Sequence, residues 1–235
     1  SNLTLARQPE NNLGTVEIIP NSASIKGRVV LDKVGSTKGV TITVTTAGVS
    51  GQLSTTTDDT GYYYLSNLIS TGTHTVTISK EGWDTETINI NNLEPLEIRD
   101  LTETEPITLK DTTKPILTSV VINKGAGSTS ERTVTVTLTA SDAGSGLSKM
   151  QYSFDGILDD TVEVWNYITE FTVELPQYNG EKTIYVKVFD LAGNECSTIK
   201  SYTISLTNTE TTITGGVLDS TKLHWTKEYS PYRVT

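Results

Sequence analysis

The sequence predicts an all-β protein built from two tandem antiparallel β-sandwich modules. Three observations carry that expectation. Apolar residues recur with a period of two over short stretches along most of the chain, as half-buried strands require. Val, Ile and Thr are plentiful, a mix that favours strands over helices. The length, 235 residues, suits two domains of about 100 residues each.

Residues 1–22 lack sustained periodicity; Val16, Ile18 and Ile19 hint at one short strand before Pro20, and the rest reads as linker or tail. From Ile25 the alternation begins. Ile25, Gly27, Val29 and Leu31 point one way, and Lys26, Arg28 and Val30 the other. After a turn at Gly35-Ser36, Val40, Ile42 and Val44 alternate with threonines. Asp58-Asp59-Thr60-Gly61 reads as a turn, Tyr62–Leu65 as a strand, and Ser70-Thr71-Gly72 as a further turn. His74, Val76 and Ile78 then alternate with Thr75, Thr77 and Ser79. Strand patterns follow near Thr87–Ile90, Leu96–Ile98 and Ile107–Leu109. About seven short strands with regular turns describe a sandwich.

The second series starts after Asp111-Thr112-Thr113-Lys114-Pro115, where the proline blocks helix. Its strands are expected at Leu117–Ile122, Val134–Ala140, Met150–Phe154, Phe171–Leu175, Ile184–Val188 and Ile199–Leu206. Glycine-containing turns punctuate them. The expected organisation is a linker over 1–22, one sandwich over 23–110, a second over 111–207, and from 208 to 235 a tail or the start of a further β-rich module.

Composition narrows the function. The net charge of -10 repels phosphate backbones, so nucleic acid is not an expected partner. No apolar run of about 18 residues is present, so no membrane insertion is expected from this stretch. The single cysteine, Cys196, rules out an intrachain disulfide. His74 and His224 are isolated, and the acidic pairs Asp159-Asp160 and Glu103/Glu105 sit in polar loop-like stretches without the shielding that acid catalysis needs. No enzyme is expected.

The run DDTGYYYLSNLISTGTHTVTISKEGW resembles the carboxypeptidase regulatory-like domain, a prealbumin-like sandwich. Gly27 and Val29 match that family's opening strand. Asp58, Gly61, Tyr63 and Leu65 match its middle motif. Gly72, Val76, Ile78, Gly82 and Trp83 match its end, with His74 where the family carries an aromatic. The resemblance implies an accessory module and a core-edge place for His74. Residues 111–206 resemble bacterial immunoglobulin-like repeats of secreted and surface proteins, through DTTKP, SDAGSGLSKMQYSFDG, Trp165 and NGEKTIYVKVFDLAGN. The segment TTITGGVLDSTKLHWTKEYSPYRVT is similar to stretches that lead into right-handed β-helices; read from its residues alone, it is equally a strand-like tail.

The immunoglobulin-like topology implies a site. It gathers the start of the first strand and the ends of the second and sixth at the pole nearest the preceding module. Asp111, Asp142 and Asp190 fall at those three places, with Asn194 on the following turn. Crowded carboxylates repel one another, and a hard cation removes that cost. Oxygen donors without histidine or cysteine suit calcium, with the Asn194 amide oxygen and carbonyls of 143–146 completing the shell. A cation there would stiffen the junction. The competing reading is that each aspartate only forms an Asx-turn, its glycines supplying left-handed backbone.

The expected function is a non-catalytic spacer or adhesion-type pair of modules in a larger bacterial protein at the cell surface or outside the cell. The alternative is a carbohydrate-binding accessory module of a secreted enzyme, with Trp165 and Tyr167 as candidate stacking residues among the aromatics Tyr62, Tyr64 and Trp83. The expected partners are a carbohydrate, a host or cell-surface protein, and neighbouring domains of the same chain.

Overall fold

A computed structural model describes residues 21–159 and 164–208. The expectations for residues 1–20, for Asp160 and for the tail beyond 208, His224 included, lie outside this set. The described residues hold no helix, and so none long and apolar enough to cross a membrane.

The first sandwich comprises β1 (Ser22–Leu31), β2 (Thr41–Thr46), β3 (Gln52–Thr56), β4 (Tyr62–Ile69), β5 (Thr73–Ser79), β6 (Glu86–Asn91), β7 (Ile98–Asp100) and β8 (Ile107–Leu109). One sheet runs β3-β2-β5-β6. In the other, β1 is central, with β4 antiparallel on one side. Its other side is shared by β7 and β8, both parallel to it. Ile25, Val29, Ile42, Val76, Ile78 and Leu109 are fully buried between the sheets, so the period of two is spent on one core.

The family motifs have local physical causes. A Cβ on Gly27 would stand 2.6 Å from the Tyr63 hydroxyl, so this glycine gives the facing Tyr63 ring its room in the core. Burial pushes the Tyr63 phenol up to about 12. Asp58 Oδ1 accepts from the Thr60 amide at 2.8 Å, the Thr60 hydroxyl at 2.7 Å and the Tyr62 amide at 3.0 Å, which closes the turn into β4. Gly61, at φ +85°, brings its backbone against the Val29 carbonyl, where a side chain has no space.

The second sandwich comprises β9 (Ile116–Ile122), β10 (Ser128–Thr129), β11 (Thr133–Ser141), β12 (Leu147–Ser153), β13 (Val164–Asn166), β14 (Glu170–Glu174), β15 (Gly180–Asp190) and β16 (Lys200–Leu206). Its sheets are β14-β11-β9 and β10-β16-β15-β12-β13, the immunoglobulin-like arrangement. Ile122, Val136, Met150, Ile184, Val186 and Ile204 form the centre of a separate core.

Several details differ from expectation. Three pairings are parallel rather than antiparallel: β1 with β7, β1 with β8, and β10 with β16. The polar segment Gln52–Thr56 is a strand although its burial does not alternate, because it hydrogen-bonds along β2 as an edge. Leu96 lies not in a strand but at φ +66°, exposed, in the turn ahead of β7.

His74 is fully buried, its Nδ1 lying 2.9 Å from the Thr46 hydroxyl. Burial pushes its pKa below the ordinary 6.5, the Ile69 backbone opposing. A depressed histidine favours the neutral folded state, so its contribution is complete above pH 6.5 and is lost as pH falls below that value. As pH falls below 6.5 the protein is expected to lose stability, by no more than about 1.4 kcal/mol per pH unit from this one proton. His74→Phe is expected to flatten that dependence, as read by thermal unfolding across the pH range.

Candidate metal centre at the module junction

Three carboxylates from separate strand ends meet where the two modules join. Asp111 follows β8 by two residues, Asp142 follows β11, and Asp190 ends β15. One oxygen of each lies within 4.8 Å of the others. Asp111 is 5% exposed and Asp190 is 2% exposed, whereas Asp142 is half-buried. Among the described residues no lysine or arginine pairs with any of the three.

The backbone holds them in place. Asp142 Oδ2 accepts from the Gly144 amide at 3.0 Å and the Gly146 amide at 2.8 Å, as the Asx-turn reading requires. Its Oδ1 is shielded from solvent and has no hydrogen-bond partner. Asp111 Oδ1 accepts from the Thr113 amide at 2.9 Å and Oδ2 from the Ser145 amide at 2.6 Å. Asp190 Oδ1 accepts from the Asn194 amide at 2.7 Å. The two loops are knitted together by Leu191 N donating to Gly146 O at 2.9 Å and Ala192 N donating to the Ser145 hydroxyl at 3.1 Å.

The glycines of SDAGSG have different causes. A Cβ on Gly144 would lie 2.4 Å from Asp111 Cγ, so this glycine is a matter of space. Gly146, at φ +90° with nothing near its Cβ position, is a matter of backbone.

Asn194 does not serve as expected. Its Nδ2 donates to Asp190 Oδ2 at 2.8 Å and to the Asp111 carbonyl at 3.0 Å, so it presents nitrogen to the cluster and orients Asp190. The carbonyls of 143–146 are partly committed too: Gly146 O accepts from Leu191, and Ala143 O faces Gly82.

Module one closes over this pole. Thr113 Oγ1 donates to Gly82 O at 3.0 Å, Thr112 Oγ1 to Asp84 Oδ1 at 2.6 Å, and Asp84 N to Lys110 O at 2.8 Å. Nothing in the sequence marked Gly82 for this role, because its family position explains it as the residue before a core tryptophan. Trp83 is indeed buried in that core.

Of the aromatics considered for stacking, Trp165 is 43% exposed on the edge strand β13, its ring 6.0 Å from Tyr152. Tyr167 is part-buried against the second core, and burial pushes its phenol up. Tyr62 and Tyr64 project from one side of β4 and are more than half exposed. Glu103, Glu105 and Asp159 are exposed on loops. Cys196 is buried, with its Sγ donating to Thr198 O.

The family model of the carboxypeptidase regulatory-like domain matches residues 24–105, about a third of the chain. That stretch matches such a domain, and an immunoglobulin-like sandwich follows it. No curated protein matches the chain. Similar solved structures include a type II cohesin–X–dockerin complex from Acetivibrio cellulolyticus, at 24% identity and TM-score 0.30, covering 38% of this chain and 58% of that one. The chain therefore spans little more than half the length of that match. The fibronectin(III)-like modules of Clostridium thermocellum CbhA are 16% identical, with TM-score 0.33 and coverage of 77% and 90%. A streptococcal ancillary pilin is 13% identical, with TM-score 0.31 and coverage of 80% and 60%.

A methyl at position 144 has nowhere to go but into the Asp111 carboxylate. Gly144→Ala is expected to lower the stability of the second sandwich by about 1–3 kcal/mol. Gly127→Ala, in the same sandwich and with nothing within 4 Å, is the control and should change it by less than about 0.5 kcal/mol. Thermal unfolding of both variants checks this.

Proposed function

We propose that this chain is a non-catalytic pair of structural and adhesion-type modules from a larger bacterial protein at the cell surface or outside the cell, stiffened by calcium at the junction. The observation that carries the reading is the trio Asp111, Asp142 and Asp190, two of them buried and none ion-paired among the described residues. Buried carboxylates without cationic partners are costly to keep together. Calcium takes six to eight oxygens in flexible geometry, and the donors here are all oxygens. Among the described residues no histidine or cysteine is placed for zinc: His74 is buried in the first module and Cys196 turns to a backbone carbonyl. The shielded, unpartnered Asp142 Oδ1 is the oxygen such an ion would satisfy. Bound calcium would supply charge neutralisation and would hold three strand ends together. Asn194 would orient Asp190 and not ligate.

Calcium at a hundred times its dissociation constant is expected to stabilise the second sandwich by about 2.7 kcal/mol relative to chelator. That corresponds to a midpoint rise of roughly 10–20 °C for a domain of this size. Asp142→Ala and Asp190→Ala should each abolish the rise. An identical melt in calcium and chelator would remove the cation from this reading and leave a junction of packing and hydrogen bonds.

A second reading, binding of carbohydrate, is favoured by a different observation. Trp165 and the pair Tyr62 and Tyr64 expose ring surface of the kind that stacks on sugars. It expects a glycan-array hit that Trp165→Ala or Tyr64→Ala loses, and a silent array would sink it.

A further inference from the structure

The geometry points to a role for module one in the cation site: its Gly82-Trp83 turn forms the outer wall of the carboxylate cluster and sets how tightly the cluster holds its ion. This rests on the calcium reading above and goes further, because every carboxylate of the cluster lies in the link or in module two.

Two short paths connect Gly82 to Asp111. The first runs through Thr113, whose hydroxyl donates to Gly82 O at 3.0 Å while its amide donates to Asp111 Oδ1 at 2.9 Å. The second runs through the Ala143–Gly144 peptide. A Cβ on Gly82 would fall 2.1 Å from Ala143 O and 2.6 Å from Gly144 N. On its other side, Gly144 is packed against the Asp111 carboxylate. The peptide is thus clamped between module one and a ligand candidate, and Gly82 has no spare room.

Neither end of the junction is loose. Trp83, 8% exposed, anchors the turn in the first core. Leu109 is 0% exposed in that core and Asp111 is 5% exposed in the cluster, so only Lys110 separates the two anchors. Asp84 ties back to the link twice, by its amide to Lys110 O and by its carboxylate to the Thr112 hydroxyl. A cation that fixes Asp111 and the 142–146 loop therefore fixes the surface on which the Gly82 turn sits. Binding and docking then share one free energy, and each strengthens the other by the same factor.

The test is calcium titration by calorimetry on the whole chain and on two junction variants. Gly82→Asn keeps a residue type that accepts left-handed backbone, yet wedges a side chain against Ala143. Thr112→Val removes the hydrogen bond to Asp84 without changing charge or size. Both leave all three carboxylates intact, and hydrogen exchange across β2 and β5 reports whether module one remains folded. The expected result is calcium binding weakened about tenfold by Gly82→Asn and less by Thr112→Val. Hydrogen exchange supplies the reciprocal reading: calcium should slow exchange of the Asp84 amide in module one. Unchanged affinity in a folded Gly82→Asn, with calcium protection confined to residues after 110, overturns the coupling and leaves the calcium reading standing. No calcium binding by the parent chain overturns both. Should Gly82→Asn prove unfolded, Thr112→Val and the exchange of Asp84 decide alone.

Discussion

The burial of the Asp111 carboxylate is the constraint on which the junction depends. A carboxylate taken out of water must be given partners, and here the partners are backbone amides from two directions. The Thr113 amide comes from its own link and the Ser145 amide from a loop 34 residues away. Those two bonds fix the course of the chain as it leaves module one and fix the loop that follows β11. Gly144 has to be bare for that approach. Asp190, at the end of β15, is held instead by one residue, Asn194, through its backbone and side-chain amides. The acidic pole is thus an arrangement in which each carboxylate organises a loop, and the three loops interlock.

Much of the fold was legible because alternation leaves little freedom. Ile25, Val29 and Leu31 on one face, or Ile184, Val186 and Val188, can be satisfied only by strands sharing a core. The convergence of Asp111, Asp142 and Asp190 was legible for a related reason: once strand order is set, the strand ends at one pole are set with it. What escaped the sequence depends on partners. Gln52–Thr56 carries no alternation of its own and is a strand only because β2 has a free edge. Ser128–Thr129 and Val164–Asn166 are too short to show a period. The side-chain amide of Asn194 has an oxygen and a nitrogen to offer, and the choice is made by the Asp190 carboxylate and the Asp111 carbonyl, which accept and do not donate.

Gly82 shows the limit most clearly. In sequence it is the glycine of a family ending, explained by its left-handed φ of +82°. Its second role comes from the face it lacks, which lets the Ala143–Gly144 peptide come within contact distance. No periodicity or motif within module one can record that, since the neighbour belongs to another module. Residues whose purpose lies across a domain junction are read as ordinary members of their own domain.

The parallel pairings give the chain a particular response to pulling. In module one the incoming strand β1 lies beside the outgoing strand β8, with Val29 opposite Ile107 and Leu31 opposite Leu109. In module two β10 lies the same way beside the last strand, Ser128 opposite Ser205 and Thr129 opposite Leu206. Tension applied to the two ends of module one would drag β1 and β8 past each other along their length, and in module two it would reach β10 and β16 once β9 had given way. Their hydrogen bonds would then carry the load in shear and would have to give way together, whereas an antiparallel hairpin pulled open at its end unzips one bond at a time. Module one therefore has, between its first strand and β8, a clasp aligned with the direction of an end-to-end pull, and module two has a shorter one between β10 and β16.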